Sequence, residues 1–249
     1  MKRWVSTILV ALVALSSLLL LTACNGGIYS EEDWNNALEY FQNCDTVTIE
    51  LDDNNLHMNY IRDKERVISN ALICFNASKG FVFVSMEYSR RNFWGTQVGG
   101  ATYETYYVQD GLNVYCYSRR VSGDTPEEWN VNEALSFDSE EAAEAYLRKQ
   151  YLQPVDVDSN AFPSMLELNY NDFSPKMSGK FERKTSDNRF NYTYVLNFAG
   201  GKVTKYAYQN KAPGGNVDDA RKFSMTITYS ASVSLPDELQ LIDRIDGNA

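Results

Sequence analysis

Asp156, Asp158, Asn160, Ser164 and Glu167 fall at positions 1, 3, 5, 9 and 12 of the stretch DVDSNAFPSMLE. That spacing lets oxygen ligands converge on calcium. Two residues argue against it. Position 6 is Ala161, where glycine normally permits the sharp turn, and Pro163 removes an amide from the segment that follows. A turn whose Asn160 or Ser159 caps a short helix accounts for the same residues, so no metal or other cofactor is expected. His57 is the only histidine, and it stands in an alternating stretch with no CxxC motif elsewhere. Zinc of the usual Cys/His kind is therefore not expected. Acids are numerous enough to pair for glycoside chemistry, but spacing alone does not bring two of them together. GxSxG, HExxH, SxxK and GxxxxGK[ST] are all missing. No catalytic residue is assigned, and a non-catalytic protein is expected.

The strongest chemical signal is Cys24. Lys2 and Arg3 precede an apolar run, Ile8 to Leu21, which ends in Thr22-Ala23-Cys24. A positive start, a short greasy core and a small-residue exit make a secretory signal. The run has fourteen residues, interrupted by Ser16 and Ser17, and a spanning helix needs ~20. Leu21-Thr22-Ala23-Cys24 resembles the bacterial lipobox. The resemblance implies that the Cys24 thiol receives a diacylglycerol, that cleavage removes residues 1–23, and that the protein sits on the extracytoplasmic face of a bacterial membrane. Two or three acyl chains hold where one would not, at ~0.8 kcal/mol per buried methylene.

The leader takes away two of the 23 basic residues and none of the 33 acidic ones, so the mature chain carries a formal −12. That charge excludes a nucleic-acid partner, which needs clustered Lys and Arg. It also argues against flat adsorption on an anionic bilayer, leaving the lipid on Cys24 as the expected link to the membrane. Cys44, Cys74 and Cys116 remain, an odd number, and read as small buried hydrophobes without a bond.

The elements that follow are legible from periodicity. Residues 24–30 form a short tether. Ser30 caps a helix over 31–43, with Trp34, Ala37, Leu38 and Phe41 on one face. From Thr46 the period becomes two: Val47, Ile49, Leu51, then Leu56, Met58 and Tyr60. Strands are expected at 66–75, 80–88, 102–108 and 112–118, the last two joined through Gln109-Asp110-Gly111. A second helix spans 139–151, and a shorter one runs from about Phe162 to Leu168. Strands return at 180–184, 190–198, 203–208 and 223–229. In FNYTYVLNF, Phe190, Tyr192, Tyr194, Leu196 and Phe198 share a face; in FSMTITY, Phe223, Met225, Ile227 and Tyr229 do so. Antiparallel strands of this kind have one dry face and one wet one, and helices must cover the dry one. The expected fold is α+β: a curved antiparallel sheet, a half-barrel, with helices over its concave apolar face. One domain is expected over 31–236, with 237–249 as a tail.

The helix with Trp34 and Phe41, the hairpin TYETYYVQDGLNVYCYS, the turn NFAGGKV and the strand TITYSASVSLP resemble small lipoproteins with the lipoprotein-carrier-like (LolA-like) half-barrel. That resemblance implies a concave surface that carries a lipid or acyl chain. The nine aromatic and aliphatic residues of 190–198 and 223–229 are then the candidate ligand-binding set. The same scaffold also serves as a protein–interaction module with its face filled by its own helices. Tyr192 and Tyr194 tilt the choice toward a carrier, because a buried phenol needs a polar partner.

Overall fold

Period-two alternation puts most of the chain into strands, and all of them join one sheet. The computed structural model describes residues 30–54, 57–61, 64–92, 97–123, 125–152, 165–175, 179–188, 190–215 and 221–241. Cys24 and positions 156–164 of the calcium-like stretch lie outside these residues. The strands are β1 (Thr46–Asn54), β2 (His57–Ile61), β3 (Lys64–Asn76), β4 (Phe81–Asn92), β5 (Gln97–Asp110), β6 (Asn113–Ser122), β7 (Thr125–Pro126) and β8 (Asn130–Ser136), followed by β9 (Ser174–Pro175), β10 (Lys180–Ser186), β11 (Asn191–Ala199), β12 (Lys202–Lys211) and β13 (Arg221–Thr228). Their order is β7-β6-β5-β4-β3-β1-β13-β12-β11-β10-β9, with β2 also on β3 and β8 on β6. Every pair is antiparallel. The sheet stays open and curls into the expected α+β half-barrel.

Two meanders make up this sheet, and β1 joins them. Thr48 faces Cys74 on one side and Thr228 on the other. Turn chemistry sets the hairpins. Gly111 has φ 57° in the turn between β5 and β6, and Gly200 and Gly201 have φ 57° and 72° between β11 and β12. Two consecutive residues with positive φ suit the type I′ turn that matches strand twist.

The helices are α1 (Glu31–Asn43), α2 (Glu140–Leu152) and α3 (Asp237–Leu241). At the start of α1, the Asp33 amide donates to Ser30 Oγ at 3.1 Å and the Ser30 amide donates to Asp33 Oδ2 at 3.0 Å. This closes a capping box. Ser139 does the same work at α2, accepting from the Ala142 amide at 3.1 Å. No helix among the described residues is long and apolar enough to cross a membrane. Of the short helix expected at 162–168, the described part is one 3-10 turn, Met165–Glu167.

A layer on the reverse face of the sheet was not expected. Cys74, Phe81, Phe83, Tyr106, Val108 and Tyr117 form a second core there, under Val233, Leu235 and Leu239. Residues 230–241, including the first part of what reads as a tail, cross this face as a strap. Thr48 Oγ1 donates to Ser230 O at 2.6 Å, Tyr106 Oη to Ser234 O at 2.9 Å, and Trp129 Nε1 to Glu238 Oε1 at 2.7 Å. The cause is in β3 and β4. ALICF and FVFV are apolar at successive positions, so both faces need cover.

Candidate functional site

The candidate ligand face is assembled as its alternation dictates. Tyr194, Leu196, Phe198, Phe223, Met225 and Ile227 are buried in the main core, with Tyr192 and Tyr229 packed half-buried against it. Phe190 is half-buried at the rim, 6.2 Å from the ring of Tyr192. Register holds the set together. Leu196 faces Tyr206, Tyr206 faces Met225, and Met225 faces Leu51. Tyr206 and Tyr208 belong to the same face and are buried. They lie outside the nine-residue candidate set, although the alternation in KYAYQN carries the signal for them.

At one end this face is occupied by α1. The Trp34 ring lies 5.1 Å from Phe173, 5.1 Å from Phe181, 5.3 Å from Phe198 and 5.9 Å from Tyr170. Trp34 itself is 1 % exposed and Phe181 and Leu196 are fully buried. The space that an acyl chain needs at this end is taken by indole. The second helix does not join α1 over these strands. Tyr146 packs on Phe137 and Tyr107, at 5.3 and 6.3 Å, over the N-terminal meander. The two helices therefore share the concave face, α1 over the C-terminal meander and α2 over β3–β6.

The other end carries polar atoms. Tyr192 Oη donates to Asp187 Oδ2 at 2.7 Å at the rim, and the Arg183 guanidinium stands 5.6 Å from the Tyr194 ring. Asn210 Nδ2 donates to Tyr208 Oη at 3.0 Å. Asn210 Oδ1 is buried and finds no hydrogen-bond partner among the described residues. Burial pushes the Tyr206 phenol far above the ordinary tyrosine range, and neighbouring Tyr194 and Tyr208 add to the effect. Tyr194 is raised by burial and partly relieved by Arg183. These phenols are neutral hydrogen-bonding groups at physiological pH.

Between the two helices the polar work is structural. Tyr151 Oη donates to the carbonyls of Phe41 and Gln42 at 3.0 and 2.7 Å. Arg148 donates to Gln42 O and Cys44 O at 3.2 and 2.9 Å. The last carbonyls of α1 are thereby capped by α2. Tyr151→Phe leaves the Phe41 carbonyl only the Cys44 Sγ donor at 3.3 Å and the Gln42 carbonyl only Arg148 at 3.2 Å, and a loss of about 0.5–1.5 kcal/mol is expected for the hydrogen bond removed. The urea midpoint of the variant against the parent measures it; an unmoved midpoint sinks this account.

Cys44, Cys74 and Cys116 are all free. Cys44 belongs to the main core and Cys74 to the reverse-face core. Burial raises the Cys44 thiol above its ordinary value, which keeps it unreactive. Among the described residues no group of three His, Cys, Asp or Glu is placed to hold a metal. Two open concavities are lined by described residues. One, of about 410 Å³, lies between the turn at Ala77–Gly80 and Glu140, Glu141 and Glu144 of α2. The other, of about 170 Å³, lies on the reverse face of β11–β13, against Thr193, Gln209, Lys222 and Ser224. No family model matches this sequence, and a search of curated proteins finds no match.

Proposed function

We propose that this chain is a lipid-anchored extracytoplasmic lipoprotein whose half-barrel is a non-catalytic protein–interaction module with its concave face filled from within. The observation that carries the second half of this reading is Trp34, seated among four aromatic rings on the strands that an apolar ligand would use. Cys24, with the leader before it, carries the first half.

One observation favours the carrier reading: the unpartnered Asn210 Oδ1 beside Tyr208, at the end of the face away from Trp34. A buried acceptor without a donor costs about 1–3 kcal/mol, and the head of a bound molecule is one way to supply that donor. Native mass spectrometry of the protein purified from its own host separates the two. The expected spectrum is the mature chain plus the lipid on Cys24 and nothing else in equal amount. A second apolar molecule retained one to one, and lost on Asn210→Leu, overturns the filled-module reading in favour of a carrier.

A further inference from the structure

The reverse face of the sheet is divided. Its N-terminal half is apolar and lies under the strap. On β10–β13, the residues whose neighbours point into the main core alternate to this side. They include Lys180 and Lys184 of β10, Lys205 and Lys211 of β12 and Lys222 of β13. The register sets them in rows: Lys180 against Asn197 and Lys205, Lys184 against Thr193, Gln209 and Lys222. Among the described residues of these four strands, the one carboxylate on this face is Glu182, bridged to Lys184 at 2.7 Å and Lys180 at 3.3 Å. Beyond β13, β1 borders this face with Glu50 opposite Thr226 and Asp53 opposite Ser224. On β10–β13 five lysines thus stand against one acid, with Glu50 and Asp53 of β1 at the border, in a chain of formal charge −10. Between the rows opens the groove of about 170 Å³.

The described chain begins near the edge of this same face, at Ser30, six positions after Cys24. Trp34, in the first turn of α1, touches Phe173 beside β9 and Phe181 of β10. The chain from Cys24 to Tyr29 reaches ~20 Å at full stretch, and packed layers are about 10 Å apart. The tether therefore suffices to round the β9–β10 edge. On the helix side of that edge stand exposed Glu31, Glu32 and Asp33; on the other side stand the lysines. An anionic surface at the end of the tether repels the first and attracts the second.

We propose that the lysine face of β10–β13 docks on the anionic bilayer that holds the Cys24 lipid, with phospholipid phosphates against Lys180, Lys184, Lys205, Lys211 and Lys222. The choice of a bilayer as occupant rests on the anchored reading above. Net charge argues for the opposite outcome, but at physiological ionic strength the Debye length is ~8 Å, so the face nearest the headgroups decides. Attraction grows with each lysine near the surface.

The test uses the full lipidated chain in phosphatidylcholine vesicles, with and without phosphatidylglycerol. Lysines are labelled with a membrane-impermeant amine reagent and read by peptide mass. Labelling of the five lysines is expected to fall about fivefold in the anionic vesicles, while Lys79 and Lys149 are unaffected. The protection should vanish at roughly 1 M salt, where the Debye length is ~3 Å. Lys184→Gln with Lys211→Gln should weaken it for the remaining three without changing the circular dichroism spectrum. Equal labelling in both vesicles, or protection that salt does not remove, overturns the proposal. A chain whose intact mass lacks diacylglycerol refutes the anchor instead; mixed with the same vesicles, that chain still reports on the face.

Discussion

Replacing Trp34 by alanine is expected to cost about 3–5 kcal/mol, the range for deleting a large buried aromatic. The whole domain has only about 5–15 kcal/mol to lose, so the variant should be unfolded or nearly so near body temperature. The size of the effect follows from what the indole holds. It is 1 % exposed, and its four ring partners come from three separate parts of the chain: Tyr170 and Phe173 before β9, Phe181 on β10, and Phe198 on β11. Without it α1 keeps Ala37, Leu38 and Phe41 on the sheet but loses the contact that fixes its first turn. Trp34→Phe retains part of the aromatic packing and should lose clearly less. Guanidinium unfolding of the three proteins measures the series. A midpoint for Trp34→Ala within about 1 kcal/mol of the parent means that α1 does not fill this face, and the filled-module reading goes with it.

Cys24→Ser is expected to change where the protein is found rather than how it folds. A diacylglycerol contributes two acyl chains, each methylene worth ~0.8 kcal/mol in the bilayer, and two chains make an anchor that one does not. Serine offers no thiol for that transfer. The parent should partition wholly with membranes and into detergent, and its mature sequence should begin at Cys24. The variant should appear as uncleaved precursor or as released protein. Washing at roughly 1 M salt, which shortens the Debye length to ~3 Å, removes any contribution of the lysine face before the comparison is made. A processed Cys24→Ser protein that stays with the membrane after that wash would falsify the lipid anchor. Circular dichroism of the released form should match the parent, since Cys24 lies ten positions before Trp34, the first buried residue of α1.

Much of the fold was legible because its signals act over a few residues. The Ser30–Asp33 cap, the Gln109-Asp110-Gly111 and Gly200-Gly201 turns and the alternation of Tyr194, Leu196 and Phe198 each depend on near neighbours. A one-residue slip would turn the whole set to the other face, so the dry side of β11 and β13 could be read directly. The charge balance and LTAC likewise belong to the sequence alone.

The tertiary structure decided what lies between distant residues. That β1 joins two meanders depends on Thr48 meeting both Cys74 and Thr228, a pairing that no local period encodes. FVFV announces two apolar faces, but only the folded chain shows residues 230–241 crossing one of them. Trp34 reads as a core residue from its spacing; that it fills the end of the aromatic face is set by where α1 lies. The lysines are spread from 180 to 222 among acids of the opposite sign, and composition averages them away. Antiparallel register gathers them on one side because neighbouring strands align residues by geometry, not by their distance along the chain.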